Sequence, residues 1–111
     1  MHAFDVLADP VRRRLVELLA DGEQSAGALS AAAHAEFGIS QPAVSQHLRV
    51  LRENGFATVR PQGTRRLYAV EPTALDDIED WVATVKHQWQ PRLDALATEV
   101  ARGKRNRRTK R

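Results

Sequence analysis

Apolar residues recur along the chain at two different periods, and the change of period divides it. From Asp9 to Asn54 the spacing is three and four. In ADPVRRRLVELLADG, Val11, Leu15, Leu18 and Leu19 share one face. Asp9 stands where an N-cap belongs, Pro10 takes the first helical position, where its missing N–H costs nothing, and Gly22 marks the stop. SAGALSAAAHAEFG predicts a second, alanine-rich helix, capped by Ser25, turned inward at Leu29 and Ala33, and ended by Gly38. Ser40 caps a third helix, which tolerates Pro42 in its first turn and runs to Gly55 with Val44, Leu48 and Leu51 as its apolar stripe. The second and third helices are short and joined by a tight turn, which is the pattern of a helix-turn-helix. After Gly55 the period drops to two. FATVR and RRLYAV read as strands flanking PQGT, with Pro61 and Gly63 making the turn.

A longer helical pattern follows. Leu75, Ile78, Val82, Val85 and Trp89 keep a 3-4 repeat, with Trp81 beside it, and Leu93, Leu96 and Val100 resume it after Pro91. Pro91 interrupts the helix by removing one backbone donor. Thr73 and Asp76 have capping-box spacing, and Asp76, Asp77, Glu79 and Asp80 suit the positive end of the helix dipole. This stripe, with its two tryptophans, offers more apolar surface than so small a domain needs to bury on itself. It is expected to form a dimer interface.

The polar side of the third helix carries the functional signal. Opposite the Val44–Leu48–Leu51 stripe lie Pro42, Ser45, Gln46, Arg49 and Glu53. Most of these groups are short or planar, unlike the usual Lys/Glu coat of a solvent face. A helix entering a major groove needs a thin outer face and groups that match base edges. Gln can address adenine, Arg can address guanine, and Ser is adaptable. Ser40 and Gln41, at the helix start, are placed for phosphates or edge bases. The hairpin that follows carries Arg60, Arg65 and Arg66 at its base and Gln62, Gly63 and Thr64 around its tip. A basic hairpin directly after a helix-turn-helix reads as a wing that contacts double-stranded DNA.

Composition narrows the class. One domain accounts for 111 residues, of which 42% are hydrophobic. There is no cysteine, hence no disulfide framework, thiolate metal site or thiol nucleophile. No apolar run approaches membrane-spanning length and the first residues form no signal-peptide core, so the expectation is a cytoplasmic protein with no membrane partner. The net charge of +3 is unevenly spread: RGKRNRRTKR, residues 102–111, holds seven positive charges and no acid, and +3 less these seven leaves −4 for residues 1–101. The expected organisation is a folded domain over 1–101 and a disordered basic tail over 102–111 that neutralises phosphates.

These segments resemble one family. FDVLADPVRRRLVELLADGEQSAGAL, GISQPAVSQHLRVLRENGFATVR, GTRRLYAV and the spaced tryptophans before RLDAL are similar to the ArsR/SmtB-type winged helix-turn-helix regulators, over residues 4 to about 97. The most specific pieces are LADPVRRRLVELL and SQPAVSQHLRVLRENG. The resemblance implies a mainly α fold with a two-stranded β-wing, and a homodimer built on the first and last helices. Phe4 and Leu7 would then join Leu75, Ile78, Trp81, Val82, Val85, Trp89, Leu93 and Leu96 in its interface. It also implies a recognition helix over Ser40–Asn54, a wing over Ala57–Val70, and repression released by an effector. By position, the base readers are Gln41, Ser45 and Gln46, with His47 beside them and tilted partly toward the core.

Three departures qualify the resemblance. The cysteines of the metal-sensing branches are missing. Asp80, His87 and Asp94 fall seven apart on the last helix without a second histidine nearby, so they read as solvated positions and no metal or cofactor is expected. SAAAHAEFG exceeds the usual length by a few residues, and His34 and Glu36 are expected to extend the turn. The residues designate neither operator nor effector. Nor does any phosphate loop or converging Ser/His/acid set suggest an enzyme. The alternative is a protein-interaction module docking through its hydrophobic last helix. The third helix argues against it, because a docking face carries aromatic or Met anchors rather than Gln, Ser and Arg.

Overall fold

A computed structural model describes residues 1–109, with side-chain environments for residues 1–103. It divides into two units, residues 1–78 and 79–111.

In the first unit, α1 (Ala3–Ala8) and α2 (Pro10–Ala20) meet at Asp9, which is the C-cap of one and the N-cap of the other. The Asp9 carboxylate accepts from the N–H groups of Val11 and Arg12 at 2.8 and 3.2 Å, as its position before Pro10 predicts. The last four carbonyls of α1, which a helix leaves without internal donors, are taken by the next helix. Arg12 donates to Asp5 and Val6, and Arg13 to Leu7 and Ala8. The hydrophobic pattern does not predict the short helix α1, and the run Arg12–Arg13 is what closes it.

A strand β1 (Gln24–Ser25) precedes α3 (Ala26–Phe37), and α4 (Gln41–Glu53) follows. Ser25 and Ser40 act as the expected N-caps, accepting from Ala28 and Ala43. Gly38 closes α3 in the left-handed region at φ 68°, a conformation that glycine adopts without Cβ strain. The inserted-looking residues do not lengthen the turn. His34 and Glu36 lie inside α3, where the helix simply runs on to Phe37. Each has a task there: His34 Nδ1 sits 3.1 Å from the Ile39 carbonyl oxygen, and Glu36 accepts a bidentate pair of bonds from Arg14 on α2.

The hairpin β2 (Ala57–Gln62) and β3 (Arg65–Val70) is antiparallel, with Gln62 opposite Arg65. The turn is therefore only Gly63–Thr64. Gly63 has φ 62° and no non-glycine residue among those described has positive φ, the signature of a two-residue type II′ turn. Pro61, expected in the turn, instead pairs with Arg66 inside β2. It is tolerated because the strand order is β1-β3-β2, so β2 is an edge and Pro61's missing donor can face away from the ladder. The expected two-stranded wing thus gains β1, where Gln24 and Ser25 pair with Tyr68 and Leu67.

The core of this unit is one cluster. Val6, Leu15, Leu19, Leu29, Val44, Leu48 and Leu51 are its most deeply buried large side chains, and Phe56 and Tyr68 close it from the sheet side. Each such burial contributes about 1.5–3 kcal/mol, which is what fixes α4 by its inner stripe and leaves its other face outward.

A 3-10 turn (Pro72–Leu75) leads into α5 (Asp76–Thr109). The expected Thr73–Asp76 capping box does not form. Glu71, two residues earlier, accepts from both the N–H and the hydroxyl of Thr73 and so caps the 3-10 turn instead. Helix α5 passes through Pro91 without a break, although Pro91 removes one donor. Where the sequence reading expects a disordered tail from Arg102, the helix continues to Thr109; Lys110 and Arg111 lie outside the described residues. Among the described residues, no helix is long and apolar enough to cross a membrane.

Candidate nucleic-acid interface

Helix α4 sorts its residues as the pattern predicts. Val44, Leu48 and Leu51 are buried, while Ser40, Gln41, Pro42, Ser45, Gln46 and Arg49 are exposed. The first two turns of the outer face carry nothing longer than glutamine. The helix backbone can therefore approach a ligand closely, with the amides of Gln41 and Gln46 and the hydroxyl of Ser45 as its first contacts. Ser40 is partly committed, because its Oγ accepts from the Ala43 N–H at 3.3 Å.

His47 is half-buried, as its tilt toward the core suggests. Its Nδ1 lies 3.5 Å from Nη1 of Arg12, the residue that also holds the α1 carbonyls. Burial pushes the Asp9 carboxyl up, but the N–H of Arg12, the charge of His47 and the N–H of Val11 together hold it below its ordinary value.

The arginines are not equivalent. Arg60, on β2, is engaged by Glu23: its Nε and Nη2 donate to the two carboxylate oxygens at 2.6 and 2.8 Å. These bonds hold the Glu23 carboxyl below the usual range and raise Arg60 further above its own. Arg49 pairs one turn along with Glu53, Nε to Oε1 at 3.0 Å. Arg65 and Arg66 make no ion pair among the described residues and stand exposed beside Gln62, Gly63 and Thr64 at the tip of the hairpin. The candidate surface thus has two kinds of cation, some unclaimed and some already neutralised. Sequence reasoning missed Glu23, which lies 37 residues from its partner with no local signal to join them.

The residues expected at a dimer interface also divide. Leu7 and Leu75 are half-buried and pack on the core of their own unit. Phe4 is exposed and stacks on the His2 ring, and Ile78 and Val85 are half-buried. On α5, Trp81, Val82, Trp89, Leu93 and Leu96 are exposed, as is Val100, and the Arg92 guanidinium lies 5.4 Å from the centroid of the Trp89 ring. Asp80 and His87 are exposed and Asp94 accepts from Gln90. Among the described residues, no three His, Cys, Asp or Glu converge as metal ligands would.

Comparison with known proteins gives a consistent picture. A family profile described as a helix-turn-helix domain matches residues 7–60. The HTH-type transcriptional regulator Rv2034 of Mycobacterium tuberculosis is 45% identical over 74 residues, which span 67% of this chain and 65% of that protein. The transcriptional repressor SdpR of Bacillus subtilis is 32% identical over 81 residues, 73% of this chain and 86% of that protein. Among solved structures, an ArsR family transcriptional regulator superposes with a TM-score of 0.68 at 27% identity, covering 79% of this chain and 87% of that one. The homodimeric winged helix-turn-helix DNA-binding domain of a possible ArsR-family regulator from Mycobacterium bovis superposes at 0.58 with 27% identity, covering 79% and 80%.

Proposed function

The chain belongs to the ArsR family of winged helix-turn-helix transcriptional regulators, and from that premise we propose that it binds an inverted-repeat operator as a homodimer and represses transcription from it. The observation that carries this reading is the outer face of α4. Its inner stripe is locked into the core, while exposed Gln41, Ser45 and Gln46 leave the first turns thin enough to enter a major groove. Gln41, Ser45 and Gln46 read base edges. Arg65, with Thr64 and the backbone of Gly63, holds phosphates from the wing.

The exposed apolar face of α5 supports a second copy as its partner. Large side chains at Trp89, Leu93 and Leu96, at the spacing of a helix seam, and at Trp81 beside it stand more than half exposed, and a relative of the same fold is a homodimer. The seven basic residues of 102–111 add phosphate contacts that residues 1–101, at net −4, lack. Repression is what SdpR is named for, and with DNA as target the protein works in the cytoplasm.

Two recognition helices related by a two-fold axis meet successive major grooves about 34 Å apart. The test is sedimentation of the protein alone and with duplexes from its own promoter region whose half-sites are spaced by one turn or by one and a half. A dimer that selects the one-turn spacing is expected. A stable monomer at micromolar concentration, or indifference to spacing, overturns the reading.

A further inference from the structure

A cavity of about 250 Å3 opens between the recognition helix and the wing. Ser45, Arg49 and Arg52 line it from α4, and Arg66 and Tyr68 from β3. No acid is among its lining residues. Arg49 is the one lining guanidinium already paired, with Glu53; Arg52 and Arg66 make no ion pair among the described residues. Tyr68 is the unusual member. The residue is more than nine-tenths buried and belongs to the core cluster, yet its hydroxyl makes no side-chain hydrogen bond among the described residues. That hydroxyl is not sealed away either, because no buried side-chain polar atom among the described residues is left unpartnered, and Tyr68 is one of the residues that line the cavity.

Two unclaimed guanidinium groups and two hydroxyls converging on one opening make a donor-rich site without an acid. Guanidinium forks match the oxygens of a phosphate, and hydrogen bonds to a charged acceptor are the stronger kind. The position narrows the source of that phosphate. A strand that leaves the groove read by α4 and passes to the wing must cross this gap, and Ser45 belongs to both the base-reading face and the cavity wall.

We propose that Arg52, Arg66 and Tyr68 form a pocket for one backbone phosphate of the bound DNA, clamping the strand between recognition helix and wing. The proposal rests on the DNA-binding reading above and adds two residues, Arg52 and Tyr68, to the contact surface. The two differ in a measurable way. A guanidinium on a phosphate displaces a counterion, and a neutral hydroxyl does not.

The experiment compares wild-type protein, Arg52→Gln and Tyr68→Phe on operator and random duplexes across salt, with the circular dichroism of each variant as a check on folding. Both variants should bind both duplexes about tenfold more weakly. Arg52→Gln should lower the salt slope by about one unit, and Tyr68→Phe should leave it unchanged. A set of operators with a single neutral methylphosphonate should contain one position at which the wild type loses more affinity than either variant does. Wild-type affinity in both variants, with Gln46→Ala still losing sequence preference, would sink the pocket and leave the DNA-binding reading standing. Loss of sequence preference in Arg52→Gln would turn it into a base reader and overturn the assignment. Saturable binding of inorganic phosphate to the free protein, abolished in Arg52→Gln without any change in duplex affinity, would give the pocket to a free anion.

Discussion

Glu23 grips Arg60 with both carboxylate oxygens, at 2.6 Å to Nε and 2.8 Å to Nη2, and so withholds from the wing a charge that its sequence advertises. The pair joins the loop after α2 to the edge strand β2. Both side chains are solvent-accessible, so its worth to stability is small and its effect on charge is the larger one.

Glu23→Gln should therefore tighten binding. With its partner neutral, Arg60 becomes available to phosphate, and affinity for a random duplex rises while the salt slope steepens by about one unit. Fluorescence anisotropy across salt reads both. An unchanged slope would show that Arg60 does not reach the DNA.

Gln46→Ala and Arg65→Ala separate reading from holding. The first should cost about 1–3 kcal/mol on the operator alone and relax base preference. The second should weaken operator and random duplex alike. Equal losses of Gln46→Ala on both duplexes would mean that the α4 face does not read bases.

Truncation after Ala101 should act like the deletion of several phosphate-binding groups at once. It removes seven positive charges, leaves a chain of net −4, and should flatten the salt slope by several units while the preferred sequence stays the same. A salt titration with an unchanged slope would take the basic end out of the interface.

Asp9 gives the fold an acid limit. Its carboxyl titrates below its ordinary value of 3.8, so the stability it contributes is complete above that value and is lost as pH falls through the lower, folded one. Asp9→Ala should cost about 1 kcal/mol near neutral pH through the lost cap of α2. The gap between variant and wild type in urea midpoint should narrow below pH 3.8. A gap that stays constant down to the acid transition would place the effect outside the carboxylate.

Much of this architecture is legible because its signals are local. Asp9, Ser25 and Ser40 each precede a helical run, and the structure uses all three as caps. Val44, Leu48 and Leu51 fix the inward side of α4, and with it the outward Gln41, Ser45 and Gln46. What escapes is short, or distant in sequence. Helix α1 is six residues long, too few for a period to show, and β1 is two residues whose partners Tyr68 and Leu67 lie more than forty positions on. Thr73 and Asp76 have capping-box spacing, but Glu71 competes for the same donors from closer by. The Glu23–Arg60 pair and the cavity at Tyr68 depend on how the sheet meets the helices, which no single stretch encodes.

The joint at Asp9 has a consequence for motion. A six-residue helix in water would fray, since its few internal bonds do not offset the cost of ordering it. Here its last four carbonyls are held by Arg12 and Arg13, and Val6 is sealed in the core. Opening α1 alone would strand those two guanidinium groups and expose Val6. The amides of α1 and the first turn of α2 therefore exchange with solvent as one cooperative unit. Because Arg12 also lies against His47, that unit includes a point of contact with α4, the proposed recognition helix.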